Sequence, residues 1–338
     1  MMTAPVSQYG LYPPYATLPS QETIMNRHHE RGMGLAEWSL LLVLALLWGG
    51  SFFFFKVLVA SIPPFTVVLG RVGLAAIALN LLLLVRRDPL QIDRSWWGQL
   101  ALLGTLNNVI PFTAIAFGET RISSGVAAIL NASTPVFTII VAHFLTHDEK
   151  LRWGKIVGII TGFCGVAVLI GPALFNTNAQ HPLIGELACL AAALSYGFGG
   201  VYARRFRKLA PMKIATGQLS ASALVVLPFS LIIDRPWTLP TPSAPVVWAF
   251  AGIAFLSTAL AFILYFRLLS TTGATNLSLV TFLLPVMALL LGTAFLGETI
   301  RWYAIAGLIL IGSGLAAIDG RPWRAITGRT TSVSTPPV

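Results

Sequence analysis

The sequence predicts an all-α integral membrane protein of ten transmembrane helices, arranged as two inverted-topology repeats of five. Three observations lead there. Hydrophobic residues make up 56% of the 338 and charged residues only 10%, whereas soluble domains carry roughly a quarter charged. Ten apolar runs, separated by short polar gaps, each approach the roughly 20 residues needed to cross hydrocarbon as a helix. The chain also states one pattern twice. Glu149, Arg152, Trp153, Gly158 and Gly165 recur 149 positions later as Glu298, Arg301, Trp302, Gly307 and Gly314. Phe112, Pro135 and Val136 recur at an offset of 150 as Phe262, Pro285 and Val286. The one-residue slip fits a deletion in a loop. In so apolar a chain, a repeat of this period reads as a duplicated half-protein rather than a solenoid.

Taken in order, residues 1–36 contain Tyr, Pro and His but no long apolar run, and read as a flexible cytoplasmic tail. Met25 and Met33 are alternative starts, and no basic flank with a short apolar core marks a cleavable signal. The first repeat occupies 37–172, with spans at 38–59, 64–85, 97–118, 124–146 and 154–172. An external linker, 173–182, leads to the second repeat over 183–319, with spans at 183–203, 212–233, 246–267, 273–296 and 302–319. The Thr-, Ser- and Pro-containing segment 320–338 reads as a cytoplasmic tail. Strands of a membrane barrel would be half as long and would alternate, which excludes that architecture. Cys164 and Cys189 fall inside apolar spans and read as small core residues, with no zinc-binding pattern.

Orientation follows from charge. With the N-terminus inside, 17 of the 22 Lys and Arg lie in cytoplasmic segments. Only Arg121, Arg235 and Arg301 lie outside, while Lys56 and Arg71 fall within spans. Positive charge is retained on the cytoplasmic side, so both termini are expected there. The net charge of +10 is thus a topology signal and not a nucleic-acid footprint. An odd number of spans per repeat forces the halves to enter the membrane in opposite senses, an arrangement found in secondary transporters.

Arg71 is the sharpest candidate for function. It lies seven residues past Pro64 in the second span, about 10 Å along the helix at 1.5 Å per residue. A charge at that depth costs about 2.5–3.5 kcal/mol on insertion scales. It therefore anchors a substrate carboxylate, pairs with Glu119 or Glu186, or snorkels to the outer interface. Asn107 and Asn108 lie mid-span in the third helix, Asn131 in the fourth, and Asn276 in the first turn of the ninth. Buried amides hydrogen-bond between helices or line a wet cavity. Trp48, Tyr196 and Tyr265 offer amphipathic rings that line a pocket or fill the core. Pro111, Pro135 and Pro285 interrupt spans and are hinge or gate candidates, the last two being repeat-related. Glu186 is the deepest carboxylate within a span and the candidate for coupling to a proton gradient. Passive facilitation or substrate exchange is the alternative. His143 and His147 have helical i, i+4 spacing, but they sit at a span end where polar residues are expected, so no metal is expected.

Leu47-Trp48-Gly49-Gly50-Ser51-Phe52, Ile62-Pro63-Pro64-Phe65 with Arg71, and Leu296-Gly297-Glu298 together resemble the EamA-type half of the drug/metabolite transporter superfamily. Leu47-Trp48-Gly49-Gly50-Ser51-Phe52 looks like that family's first-helix motif, and Ile62-Pro63-Pro64-Phe65 with Arg71 like the start of its second helix. Thr134-Pro135-Val136-Phe137, Asp148-Glu149, Gly158 and Gly165 resemble its fourth and fifth helices. Ser195-Tyr196-Gly197, Leu284-Pro285-Val286 and Leu296-Gly297-Glu298 answer in the second half. Two departures stand out: Thr146-His147-Asp148-Glu149 replaces the usual Leu-Gly-Glu, and Gln218 lies near the place of a second early arginine. The resemblance implies a carrier in the bacterial inner membrane; ten helices suffice for a complete pore in one chain, so a monomer is expected. It would export or exchange small metabolites, such as amino acids or drug-like compounds, without a cofactor. A membrane-embedded enzyme or a non-transporting receptor or assembly protein is the alternative. The enzyme lacks support, since neither His-Glu-x-x-His nor Gly-x-Ser-x-Gly occurs.

Overall fold

The computed structural model describes residues 33–146, 153–174, 182–206 and 209–319. Both tails beyond these, most of the linker, and the loop holding His147 and Glu149 lie outside the described residues. Ten helical units follow one another, and no strand occurs among the described residues. They are α1 (Leu35–Val59), α2 (Pro64–Val85), α3 (Arg94–Glu119), α4 (Ser124–Leu145), α5 (Trp153–Leu174), α6 (Pro182–Phe206), α7 (Pro211–Asp234), α8 (Ala244–Gly273), α9 (Val280–Leu296) and α10 (Trp302–Asp319). Eight are long and apolar enough to cross a membrane; α9 and α10 are shorter apolar helices.

Local chemistry sets the boundaries. Pro63-Pro64 starts α2 where a missing N–H costs nothing. The Ser123 hydroxyl caps α4 by accepting from Val126 N at 3.3 Å. Gly297, at φ 65°, ends α9 in a left-handed turn that a side chain would strain. The expected ninth span is corrected at its start. Gly273, at φ 74°, has non-helical backbone and closes α8; a short helical stretch to Leu277 follows, and α9 begins only at Val280. Asn276 therefore lies in the short stretch between α8 and α9, not in the first turn of the ninth helix. Large apolar side chains also cover the outside, including Ile77, Leu81, Val157, Ile160, Leu224, Leu290 and Ile309. Water would not solvate such a surface; lipid does.

Packing joins the halves throughout. α1 lies on α9 and α6 on α4; α3 lies on α6 and α8 on α1; α2 lies on α8 and α7 on α3. Each of these pairs maps onto the other when the two repeats are exchanged. Repeat-mates also meet directly, and they meet antiparallel. In α5 and α10, Gly158 abuts Gly314 and Gly165 abuts Gly307. A Cβ on Gly158 would lie 2.5 Å from the Gly314 carbonyl oxygen, so backbone touches backbone. In α2 and α7, the Asp234 carboxylate accepts from Thr66 N at 2.6 Å and Thr66 Oγ1 at 3.0 Å. Further along, Asn80 Nδ2 donates to Ser220 Oγ at 3.1 Å, and at the far end Lys213 pairs with Asp88 at 2.6 Å.

Three helices depart from regular α geometry: α7 ends in a π-helical turn over Ser230–Asp234, and two others carry one inside the bundle. α3 contains a π-helical turn over Thr105–Val109, and its repeat-mate α8 contains one over Gly252–Leu260. Such turns admit an extra residue into the hydrogen-bond ladder and often mark functional sites.

Candidate functional site

A cavity of about 650 Å³ lies between the halves, walled by residues of α1–α4 and α6–α9. That volume is within the roughly 300–1,000 Å³ usual for small-molecule sites. The π-helical turns supply its polar pairs. Asn107 and Asn108 come from α3, and Ser257 and Thr258 come from α8, related by the 150-residue offset. Trp48, Asn131, Pro135, Tyr196 and Tyr265 also line it. Trp48 and Tyr265 form an aromatic pair with ring centroids 5.5 Å apart.

Arg71 is 5% exposed and reaches this cavity from α2. Its Nε donates to Thr258 Oγ1 at 3.0 Å and its Nη1 to Ser51 Oγ at 2.8 Å. The guanidinium lies 3.6 Å from the centroid of the Phe112 ring and 5.0 Å from that of Phe55, in cation–π contact. No carboxylate among the described residues comes within ion-pair distance, so the expected pairing with Glu119 or Glu186 is not formed, nor does the side chain snorkel. Of its five N–H donors, two are engaged, leaving three for a ligand.

The other candidates divide. Asn108 donates to Ser222 Oγ at 3.0 Å, so one face of this amide ties α3 to α7. The Oδ1 of Asn131 has no hydrogen-bond partner. Asn276 lies off the cavity, and its Nδ2 donates to Thr272 O at 3.1 Å. Pro111 directly follows the α3 π-helical turn, and Pro135 starts the second half of α4 after a break at Ala132–Ser133. Pro285, the repeat-mate of Pro135, sits inside continuous helix. Pro111 and Pro285 do not line the cavity. Glu186 is buried near the start of α6, away from the cavity, with Oε2 unpartnered. Among the described residues, no group of three His, Cys, Asp or Glu could hold a metal ion; His147 is outside them.

Sequence reasoning misses four contributors. Ser257 and Thr258 were findable by adding the repeat offset to the two asparagines. Glu119 reads from the sequence as a span-end residue, yet it is fully buried with neither carboxylate oxygen hydrogen-bonded. The fourth is a clasp on the α3–α4 loop. Lys56 Nζ donates to the carbonyl oxygens of Glu119 at 2.6 Å and Ile122 at 2.7 Å. The Glu298 carboxylate accepts from Ser124 N at 2.7 Å, Ser124 Oγ at 2.8 Å and Gly125 N at 3.2 Å. The left-handed Gly297 turns Glu298 back toward the α4 N-terminus, whose free N–H groups favour an anion. Gly292 has no side chain because a Cβ there would lie 2.5 Å from Glu298 Oε2.

A bundle of apolar helices enclosing a largely apolar cavity with a few convergent polar groups fits a multi-pass membrane transporter. The EamA-like transporter family model matches residues 36–171 and again 183–318, and the chain belongs to that family. It is similar to the uncharacterized transporter YoaV of Bacillus subtilis (strain 168), 28% identical over 81% of this chain and 94% of that one. It is also similar to the uncharacterized inner membrane transporter YedA of Escherichia coli (strain K12), 28% identical over 80% and 87%. A probable amino-acid metabolite efflux pump of Salmonella typhimurium is 27% identical over 82% of this chain and 92% of its own. A solved crystal structure superposes with a TM-score of 0.60 at 18% identity, over 84% of this chain and 96% of that one, so the fold is shared.

Proposed function

We propose that the protein is a secondary carrier working by alternating access, with all ten helices crossing the inner membrane as two inverted five-helix repeats and both termini cytoplasmic. It acts as a monomer and exports or exchanges small metabolites such as amino acids or drug-like compounds, needing no partner beyond substrate and bilayer. The observation that carries this reading is a cavity between two halves whose polar pairs are repeat-related. The antiparallel meeting of repeat-mates α5 with α10 supports inversion, because equivalent helices of inverted halves must run oppositely. The cavity extends to Phe206, Pro211 and Leu269, at the ends of α6, α7 and α8 that carry the basic loops. The Glu298 and Lys56 clasp closes the opposite end. With the basic loops cytoplasmic, this reading makes the conformation inward-facing.

In this mechanism Arg71 holds an anionic group of the substrate, and the Trp48–Tyr265 pair contacts its apolar body. Opening of the clasp and closure of the basic end then expose the same site outside. A proton gradient acting through Glu186 or the substrate gradient alone drives the cycle. Counterflow into proteoliposomes, with labelled amino acids, sugars and cationic drugs and with or without a pH difference, tests the carrier and separates the two drives. Silence of folded protein across the panel counts against it. Single cysteines near 150 and near 300 should label from opposite membrane faces; labelling from one face rejects the inversion.

A further inference from the structure

We propose that the substrate is an aromatic organic monoanion without an amino group, a deepening that rests on the carrier reading. Charge is the first reason. Arg71 is the sole charged side chain on the cavity wall among the described residues; no Asp, Glu, Lys or His joins it. Its own neighbours, two hydroxyls and two aromatic faces, are neutral. The buried Glu119 carboxylate acts on Arg71 electrostatically but neither hydrogen-bonds to it nor lines the cavity, so the wall itself presents a single positive charge. A planar carboxylate matches the unused part of a guanidinium fork, which favours two parallel N–H···O bonds. A zwitterion would bring an ammonium as well. No carboxylate faces the cavity to receive it, and an ammonium taken from water without an acidic partner is costly.

Shape is the second reason. Trp48 and Tyr265 stand 5.5 Å apart with planes inclined at 38°. The Phe112 ring, 6.5 Å from that of Tyr196, carries the guanidinium on its face. A ligand whose carboxylate meets Arg71 therefore has its remaining bulk among rings. Flat aromatic bodies gain more than chains do from stacked and tilted contacts of that kind. Polar atoms along the wall set a further preference. Asn131 Oδ1, Gln218 Oε1 and Ser257 Oγ are buried without partners. Each accepts a neutral O–H or N–H, so a phenolic or amide donor on the body improves the fit.

The test uses one body in four charge states: 3-phenylpropionate, phenylalanine, 3-phenylpropylamine and 3-phenylpropionamide, bound to full-length protein in lipid nanodiscs at neutral pH. Calorimetry is expected to show the acid binding about tenfold or more tightly than each of the others. Arg71→Gln should remove that preference, lowering affinity for the acid at least about tenfold more than for the amide. Arg71→Lys, which keeps the charge but not the fork, should retain the ranking at lower affinity and so guards against a folding artefact. Equal or tighter binding of phenylalanine or the amine, survival of the ranking in Arg71→Gln, or no binding of any of the four to folded protein would overturn the proposal. Counterflow with the same compounds keeps the two readings apart. Flux of a non-acid alone rejects the substrate class and keeps the carrier. Binding of the acid with no flux of anything does the reverse.

Discussion

Replacing Glu298 by alanine should shift the protein toward an outward-open state. The carboxylate makes three hydrogen bonds to Ser124 and Gly125, at 2.7, 2.8 and 3.2 Å. A hydrogen bond to a charged group contributes roughly 1.5–3 kcal/mol net. The longest of the three counts for less, and water recovers part of each when the loop opens, so about 2–4 kcal/mol is assigned to the set. At 1.4 kcal/mol per decade, the open-to-closed ratio rises about 30- to 700-fold. The Lys56 bonds to Glu119 and Ile122 remain, which keeps the loop tethered. The assay is labelling of a single cysteine at Ser257, on the cavity wall, by a membrane-impermeant thiol reagent added outside intact cells. Cys164 and Cys189 are first replaced by alanine. Labelling in Glu298→Ala should be far faster than in its Glu298 parent. Unchanged labelling from outside, in a variant that inserts normally, would refute the idea that the clasp closes that side.

Arg71→Ala should reduce counterflow of an anionic substrate about 100-fold or more, since two charge-assisted bonds at roughly 1.5–3 kcal/mol each are lost. Thermal unfolding should change far less, because Thr258 keeps its bond to Ile253 O; flux within twofold of wild type would remove the anchor role. Gly158→Ala and Gly314→Ala should each destabilise by about 1–3 kcal/mol through overpacking. The double variant should cost less than both together, because either one already separates the same backbones; strict additivity in denaturant titrations would show that the contact is not shared. Glu119→Met removes a buried carboxylate that lacks a hydrogen bond though it lies near the charges of Lys56 and Arg71, and should stabilise by about 1 kcal/mol or more, seen as a raised melting temperature; a lowered one would show that those two cations need the acid.

How far the fold is legible depends on chemical punctuation. α2 is placed correctly at both ends, 64–85, because Pro63-Pro64 opens it and Arg86-Arg87 closes it. The start of α9 is placed early because the polar run Ser270–Asn276 is itself largely helical, kinked at Gly273, so the change in hydropathy precedes the start of α9. The π-helical turns leave no trace in hydropathy, since one extra residue in the ladder does not alter composition. The asparagines at 107 and 108 stand out as amides in hydrocarbon, whereas Ser257 and Thr258 pass as ordinary small helix residues. Sequence reasoning seeks an acid for Arg71, and the structure supplies hydroxyls and aromatic faces instead. Glu119 looks terminal because burial at a span end is made by elements far apart in the chain, here α1 with its Lys56 and the loop bearing Glu298.

The π-helical turns also date the site. They occupy Thr105–Val109 in one half and the corresponding stretch, within Gly252–Leu260, in the other. An inserted residue in a helix is a discrete, costly event, and two unrelated insertions would not be expected to choose the same register. A single insertion in a five-helix ancestor, later copied with the whole unit, accounts for both. On that history the irregular backbone is older than the two-repeat protein. What differs between the copies is the chemistry, amides on one side and hydroxyls on the other, and the length of the irregular stretch, five residues against nine.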